Sequence, residues 1–319
     1  MNTPHSKGLV FEPYLLSVDV YLDTHINDVL FTGKLVKSLL IDANPKLREV
    51  FAKTYGTPPK LIHITPLYQN SNGRVKCLYS YAIDSADKSG REKVTRVTIS
   101  SSVYRFYVGF VESATPNSFS FDELYDTLLN ISGTHTFCNY VVKAELVSVE
   151  VTDARSHSRD AVRELVKSSG RMRLVFSSPT LLRDPLRSIK FKSLVPTPMN
   201  IFSTPVYILH YLVGKLTTKS LTKALIMVHR LLSEPHSYLE TVKRKWIVYE
   251  KGKNPIPALI GYVNLHLNKH YYEHYSKTYN VEGMLEKLLT LLLTLGTGTS
   301  RASGFGHVEL VFQSFLIAS

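Results

Sequence analysis

The chain has 319 residues, 44% of them hydrophobic, which predicts a soluble globular protein with two domains. Its 38 basic and 26 acidic residues give a formal net charge of +12, which favours a polyanionic partner such as nucleic acid or an anionic membrane surface. The two cysteines, Cys77 and Cys138, are too few for a disulfide framework or a structural zinc site and indicate a cytoplasmic protein.

The sequence predicts neither a signal peptide nor a membrane-spanning segment. Residues 1–7 are polar, so we expect no signal peptide. The most apolar run, residues 284–295, is too short to span a bilayer and contains Lys287. We therefore expect no membrane partner, and we interpret this run as a core helix.

The first half of the chain, taken in order, alternates strand and helix patterns. Strands are predicted at 9–21, 60–68, 75–83, 94–111 and 140–151, and helices at 30–40, 46–55 and 118–129. The last helix has Ser120 as its N-cap, with Glu123 three residues further on. The order β-α-β-β-α-β is typical of the ferredoxin-like fold.

The second half repeats that order in an enlarged form. Residues 155–170 are polar and charged, and we interpret them as a linker between domains at 1–154 and 171–319. The predicted elements that follow are strands at 171–177, 245–249, 258–267 and 307–315, and helices at 201–215, 221–232 and 281–295. The predicted fold class is therefore α+β, with two tandem ferredoxin-like domains.

A glycine loop, residues 296–306 (GTGTSRASGFG), follows the leucine-rich helix and precedes the last strand. Rossmann and Walker phosphate loops need a strand before the loop and a helix after it, so this order excludes them. We interpret the loop as a flexible, donor-rich segment that holds a polyanion backbone, against the alternative of an ordinary connection. The residues assigned to this contact are Gly296, Gly298, Ser300, Arg301, Gly304 and Gly306.

A lysine cluster is the candidate catalytic group. Lys34 and Lys37 share one face of the first helix, and Lys60 precedes the strand that contains His63. Phosphodiester transesterification needs a proton acceptor, a proton donor and cations around the developing charge. Lysines can fill all three roles if one of them is shifted toward the neutral form; the alternative is a solvated helix face. His25 and His63 are the histidines nearest this helix, and each is a candidate acid or base or a structural group.

Metal chemistry has little support. No spacing of carboxylates suggests a two-metal nuclease site. His270, Glu273 and His274 match the HxxEH pattern of a zinc protease but lack an evident third ligand. We expect no metal and no cofactor. Lys251 and Lys253 belong to a basic hairpin that adds further positive charge.

Several of these segments resemble a known family. The spacing of the glycine loop resembles the glycine-rich loop of the RAMP superfamily of CRISPR-associated proteins. Within it, the chain is most similar to the repeat-RNA-processing endoribonucleases, the sixth Cas family, in archaeal form. The other segments that carry the resemblance are VFSSPTLL (175–182), GKLVK (33–37), KLIHITPL (60–67) and IGY (260–262).

The resemblance implies two tandem ferredoxin-like domains and metal-independent cleavage of CRISPR precursor RNA within its repeats. The 2′-hydroxyl attacks the adjacent phosphate and leaves 2′,3′-cyclic phosphate and 5′-hydroxyl ends, which generates mature guide RNAs. Carried onto this sequence, the lysine cluster stabilises the transition state and transfers protons. Lys251 or Lys253 adds a cation, and Arg301 with the glycine loop holds RNA.

The chain departs from the family in one respect, because many members have a general-base histidine in the first helix and residues 30–40 contain none. Either the lysines perform proton transfer or His25 or His63 substitutes. Two other functions stay open: a non-catalytic RNA-binding subunit of a CRISPR interference complex, and a zinc hydrolase. The candidate partners are CRISPR repeat RNA, interference-complex subunits and a second copy of the chain.

Overall fold

The computed structural model describes residues 11–52, 58–71, 74–83, 93–113, 119–167, 170–187, 192–235 and 238–311. The strands of the first half are β1 (Phe11–Asp23), β2 (Ile26–Val29), β3 (Ile62–Ile64), β4 (Tyr68–Ser71), β5 (Arg74–Cys77), β6 (Tyr81–Ile83), β7 (Lys93–Val94), β8 (Val97–Ile99), β9 (Ser102–Ser113), β10 (Gly133–Phe137) and β11 (Tyr140–Thr152). The helices there are α1 (Gly33–Ala43), α2 (Leu47–Phe51) and α3 (Phe121–Leu129).

The second half begins with a helix and ends with a short strand. Its strands are β12 (Arg171–Thr180), β13 (Leu182–Arg183), β14 (Lys192–Ser193), β15 (Leu232–Ser233), β16 (Val242–Ile247), β17 (Ile256–Leu267) and β18 (Val308–Val311). Its helices are α4 (Ala154–Lys167), α5 (Pro198–Leu212), α6 (Thr218–Leu231), α7 (Tyr238–Thr241), α8 (Lys269–Ser276) and α9 (Val281–Leu295), followed by a 3₁₀ turn at Arg301–Ser303.

Both large sheets have the ferredoxin-like strand order. In the first sheet β1 lies between β11 and β9, and β3 pairs with the far side of β9. In the second sheet β12 lies between β18 and β17, and β16 pairs with the far side of β17. All these pairs are antiparallel, so each sheet has the order fourth, first, third, second. The predicted fold class, two tandem ferredoxin-like units, is confirmed.

Alternation of apolar residues positions the first sheet on its core. Leu16, Val18, Val20 and Leu22 of β1 all point to one face and are fully buried. They pack with the apolar face of α1 in a single cluster. That packing fixes the orientation of α1, and with it the side on which Lys34 and Lys37 emerge.

Helix α9 lies between the two halves. Leu285 and Leu288 belong to the second core, whereas Leu291 and Leu295 pack with Phe11 at the start of the first sheet. From residue 288 onward this helix has no charged side chain and is buried on all sides, which explains the leucine run. No helix within the described ranges is long and apolar enough to cross a membrane.

Two segments differ from the sequence prediction. The predicted linker, residues 155–170, contains α4, whose buried face (Ala161, Val162 and Leu165) joins the second core. The exposed face of this helix carries the charges that suggested a linker. Strand β6, predicted in the first domain, pairs with β16 of the second sheet. The domain boundaries given from the sequence, 1–154 and 171–319, stay a prediction.

Some predicted elements extend beyond what the structure describes. The predicted strand at 307–315 is observed as β18, and residues 312–315 lie outside the described residues. The same holds for residues 9–10 of the first strand, for 53–55 of the second helix and for residue 118. Strand β10 had no prediction; it forms a hairpin with β11.

The N-terminus of α3 offers a direct stability test. The Ser120 hydroxyl accepts a hydrogen bond from the Glu123 amide at 3.1 Å, and the Glu123 carboxylate accepts one from the Ser120 amide at 3.1 Å. Ser120→Ala removes this capping box and should lower the free energy of unfolding by about 1 kcal/mol. Urea denaturation measures it, with the exposed Ser100→Ala as control. Equal stability of the two variants would contradict the capping role.

Candidate active site

The glycine loop is a packed structure rather than an open one. Gly296, Gly298, Gly304 and Gly306 are all buried, and all four have positive φ. Within the loop the Thr297 amide donates to the Gly306 carbonyl at 2.8 Å. Of the residues at its tip, Ser300 is exposed and Ser303 is half-buried. The loop therefore presents hydroxyl groups at the surface, while its glycines allow the close packing beneath.

The glycine loop is held by the SSPTLL segment, residues 177–182. The Gly306 amide donates to the Pro179 carbonyl and the Thr299 amide donates to the Leu181 carbonyl, each at 2.9 Å. The His307 amide donates to the Ser178 hydroxyl at 2.9 Å. The two segments that carry most of the family resemblance are thus hydrogen-bonded to each other along their backbones.

Arg301 anchors the loop from below. Its side chain is buried, and its guanidinium donates to the Leu295 carbonyl at 2.8 Å and to the Lys60 carbonyl at 3.0 Å. Burial lowers its pKa to about 10, a value at which it is still a cation at neutral pH. Arg301 therefore ties together the end of α9, the glycine loop and the segment before β3. Its contact with RNA stays a prediction.

A pair of buried histidines lies behind the loop. His63 Nδ1 is 3.1 Å from the Arg301 carbonyl, and His63 Nε2 is 3.4 Å from His307 Nδ1. Since a carbonyl only accepts, His63 donates from Nδ1 and its Nε2 accepts from His307. His307 Nε2 then faces the Glu309 carboxyl group at 3.8 Å, and burial raises the pKa of Glu309. The tautomers of both rings follow from this one chain of contacts.

Burial, followed by the charges of His307 and Arg301, holds the pKa of His63 well below its ordinary value. His63 has no exposed surface, so in this structure it positions the Arg301 carbonyl and does not face solvent. His25 is exposed, in the turn between β1 and β2. Its part in catalysis stays a prediction.

The histidine pair predicts a loss of stability in acid. Burial lowers the pKa of His307 to about 4, from 6.5 in the unfolded chain. Between these values the unfolded chain binds the proton and the folded chain does not, so stability falls as the pH drops from 6.5 to 4. The loss should approach about 3 kcal/mol. Urea denaturation across this range measures it. The decrease of the unfolding free energy with falling pH should be smaller in His307→Asn and unchanged in His25→Asn. An equal decrease in both variants would contradict the assignment to His307.

Lys37 and Lys60 meet at one backbone carbonyl. The Lys60 ammonium donates to the Phe51 carbonyl at 2.7 Å, and the Lys37 ammonium lies 3.4 Å from the same oxygen. Burial lowers the pKa of Lys60, and the charges of Lys37 and Arg301 lower it further. A carbonyl does not neutralise an ammonium ion as a carboxylate would. The structure thus places a lysine with a lowered pKa beside a second cation.

Lys34 connects the cluster to the hairpin of the second half. It lies one turn before Lys37 on α1, and its ammonium is 4.2 Å from the centroid of the Tyr249 ring. Tyr249 in turn packs against Phe31 and Phe305, whose rings stack at 4.5 Å. The start of α1, the glycine loop and the β16–β17 hairpin therefore meet at one place.

The tip of that hairpin is basic and exposed. Lys251 and Lys253 both reach solvent, and Lys253 forms an ion pair with Glu250 at 2.8 Å. Such an exposed pair adds little stability, so Lys253 is free to exchange its partner for a phosphate. These lysines lie beyond Tyr249 on the same hairpin and extend the positive charge away from Lys34.

The zinc-protease pattern lies elsewhere. His270, Glu273 and His274 are exposed on α8, a helix of eight residues. Across the part of the chain that the structure describes, no group of three or more His, Cys, Asp or Glu side chains could hold a metal ion. The HxxEH spacing therefore belongs to a solvent-exposed helix and is not part of a metal-binding group among the described residues.

Sequence reasoning missed three groups that shape the site: the Phe51 carbonyl, Tyr249 and His307. A backbone carbonyl carries no sequence signal, so the first was not predictable. Phe305 lies inside the glycine loop, and its bulk was a sign that the loop packs on something, here Phe31 and Tyr249.

Comparisons with known proteins identify the fold. No protein-family model matches the sequence, and no curated protein matches it either. Solved structures do. A Cas6 product complex superposes with a TM-score of 0.57 at 13% identity, covering 94% of this chain and 99% of the other. Thermus thermophilus Cas6 gives a TM-score of 0.51 at 13% identity, covering 95% and 100%. The protein has the Cas6 fold.

The Cas6 fold also recurs within a larger assembly. A partial Cas6-RT-Cas1–Cas2 complex superposes with a TM-score of 0.53 at 14% identity, and the match covers 95% of this chain and 46% of that one. These matches cover 94–95% of this chain, so both ferredoxin-like units contribute to the likeness. The archaeal form inferred from the sequence stays a prediction.

Proposed function

We propose that the protein is a CRISPR-associated endoribonuclease of the Cas6 family, which cleaves precursor RNA within its repeats without a metal ion. The observation that carries the proposal is the meeting of Lys37 and Lys60 at the Phe51 carbonyl, inside a chain with the Cas6 fold. A subunit that only binds RNA has no need of a lysine shifted toward the neutral form. The proposed partner is CRISPR repeat RNA.

The reaction needs a base for the 2′-hydroxyl of the scissile nucleotide. The neutral amine of Lys60 keeps a hydrogen bond to the Phe51 carbonyl through one N–H, and its lone pair is then available to accept the 2′ proton. The O2′–P bond forms as the P–O5′ bond breaks, so O5′ takes up one proton. The products are a 2′,3′-cyclic phosphate and a 5′-hydroxyl.

The remaining cations stabilise charge and supply that proton. Lys37, on the same carbonyl as Lys60, is a donor for the leaving O5′ or a counter-charge for the phosphorane oxygens. Lys34, held over the Tyr249 ring, adds a second positive charge one helical turn away. No proton-transfer role is left that requires a histidine in α1. His63 acts as a positioning residue through the Arg301 carbonyl.

RNA binding would use the rim of the same site. The exposed hydroxyl of Ser300 and the half-buried hydroxyl of Ser303 border the glycine loop, and Lys251 and Lys253 extend from the hairpin. The Arg301 guanidinium supports Lys60 by donating a hydrogen bond to the Lys60 main-chain carbonyl. We assign the glycines and Arg301 to shaping the rim, and the hydroxyls and hairpin lysines to the phosphate backbone.

The test is cleavage of repeat RNAs transcribed from the CRISPR arrays of the genome that encodes the chain. In EDTA, each repeat should be cut at one position, and mass spectrometry of the upstream fragment should show a 2′,3′-cyclic phosphate. Tight binding with no cutting, even after magnesium is restored, would instead support the non-catalytic RNA-binding subunit. Cutting that occurs only with added metal would contradict the lysine mechanism.

A further inference from the structure

A row of aromatic rings lies beside the candidate active site, on one face of the paired strands β6 and β16. Ile247 pairs with Tyr81 in antiparallel register. Just beyond the strand ends the Val248 amide donates to the Ser80 carbonyl at 3.0 Å, and this continued register sets Tyr249 opposite Tyr79. Paired residues of antiparallel strands project to the same face of a sheet. Tyr79, Tyr81 and Tyr249 therefore share one face, which we call the tyrosine face.

Lysine ammonium groups cover both ends of the tyrosine face. Lys34 lies 4.2 Å from the Tyr249 centroid, and Lys245 lies 4.0 Å from the Tyr81 centroid. The rings of Tyr79 and Tyr81 are 6.1 Å apart. All three tyrosines are half-buried: they pack on the core that includes Phe31 and Phe305 and keep part of each ring at the surface.

The far end of the tyrosine face opens into a cavity of about 310 Å³. Its polar lining includes Lys245 and Arg244, whose guanidinium lies 5.2 Å from the Trp246 ring. Lys245 and Arg244 make the lining positive, and it contains no carboxylate. The lining residues are Tyr81, Ala82, Ile83, Arg244, Lys245 and Trp246.

We propose that the tyrosine face and this cavity bind single-stranded RNA next to the cleavage site. The location rests on the proposed function, because Lys34 belongs to both the lysine cluster and the tyrosine face. Aromatic rings stack with any base and cations hold the backbone, which is the pattern of sequence-tolerant single-strand binding. An extended chain from Tyr249 to Lys245 spans about 13 Å, enough for roughly four stacked nucleotides.

A carboxylate-rich or purely apolar partner fits this surface less well. Lys245, Arg244 and Lys34 would lose hydration against an apolar partner without gaining a counter-charge. A lysine over a tyrosine ring in water gains only about 0.5–1 kcal/mol, so three tyrosines on one face with a lysine over each end are not explained by stability alone. RNA satisfies both features at once, because each nucleotide brings one ring system and one phosphate.

The test measures binding of a short fluorescent oligoadenylate by anisotropy, which requires no cleavage. Tyr81→Leu/Lys245→Gln should weaken binding at least tenfold, since loss of a stacking base contact alone accounts for that factor. The matched control is Tyr279→Leu/Lys223→Gln, which removes another lysine over a tyrosine ring, at 5.2 Å, on the α6 surface. The control should stay within about twofold of the wild type.

Two further variants separate stacking from folding. Tyr81→Phe keeps the ring and should bind like the wild type. Lys245→Gln alone removes a half-buried charge at the cavity and should weaken binding and reduce its salt dependence. Wild-type affinity in both Lys245→Gln and the double variant would overturn the proposal. The variants could lose oligoadenylate binding while the wild-type protein cleaves no repeat RNA. That outcome would support the tyrosine face as an RNA-binding surface and overturn the nuclease proposal instead.

Discussion

The Lys37→Ala/Lys60→Ala variant is expected to lose cleavage of repeat RNA by a factor of about 10² to 10⁴. The two ammonium groups share the Phe51 carbonyl, so the variant removes the candidate base and a neighbouring cation that adds to the effect of burial in lowering the pKa of Lys60. Binding should fall far less, because the hairpin lysines and the rim of the glycine loop are unchanged. Single-turnover rates and anisotropy with the same RNA measure the two effects separately.

Charge-conserving variants separate proton transfer from electrostatics. Arginine does not lose its proton in this pH range, so Lys60→Arg should cleave as poorly as Lys60→Ala while it binds RNA normally. Lys37→Arg keeps a cation and should retain most activity if Lys37 acts mainly as a counter-charge. Lys223→Ala, an exposed lysine on α6, is the control. Full activity in Lys37→Ala/Lys60→Ala would contradict the assignment of the site.

The pH dependence of the wild-type rate belongs to the same experiment. A lysine base acts in its neutral form, so the rate should rise with pH as Lys60 loses its proton. Because burial and neighbouring cations lower the pKa of Lys60, the rise should begin at a lower pH than for a free lysine. Lys60→Arg should abolish this rise.

Gly306→Ala is expected to lower the free energy of unfolding by about 3–5 kcal/mol. Gly306 has a φ of +84°, which strains any residue with a Cβ. An added Cβ would also lie 2.0 Å from the Thr297 carbonyl oxygen, which itself belongs to the buried base of the glycine loop. The backbone pair between Thr297 and Gly306 would have to open, and with it the contacts that hold the loop on the SSPTLL segment.

The matched control is Gly214→Ala. Gly214 also has a positive φ, +66°, but a Cβ there would meet nothing within 4 Å. Gly214→Ala should lower the free energy of unfolding only through backbone strain, by about 1 kcal/mol. Chemical denaturation of both variants therefore isolates the steric part. If the two costs were equal, the Gly306 position would not be tightly packed, and the glycine would be available for close approach by RNA as the sequence first suggested.

Periodicity predicted most of the fold. The alternation in β1 and the leucine run of α9 each reflect a buried face, and a buried face leaves a pattern in the sequence. Helix α4 was missed because its core contact uses only a narrow apolar stripe within a charged segment. Strand β10 was missed because a short edge strand of mixed polarity buries little apolar surface.

The candidate site could be predicted only in part. Lys34, Lys37 and Lys60 were predicted because they share a helix face or precede a strand, and their residue type suits the chemistry; their catalytic role stays a prediction. The burial of Arg301 and His63 was not predictable, because it depends on how the glycine loop packs against β3 and α9. A polar residue in a glycine-rich segment looks exposed in sequence, whereas here it satisfies the backbone of its neighbours.

The proposed reaction is RNA cleavage by 2′-hydroxyl attack without a metal ion. The most direct measurement is cleavage in EDTA of one repeat RNA in two forms, which differ only in a 2′-deoxy nucleotide at the scissile position. The all-ribose RNA should be cut, and the 2′-deoxy RNA should be bound equally well but stay intact. Cutting of the 2′-deoxy RNA would show that another nucleophile acts, and it would contradict the account.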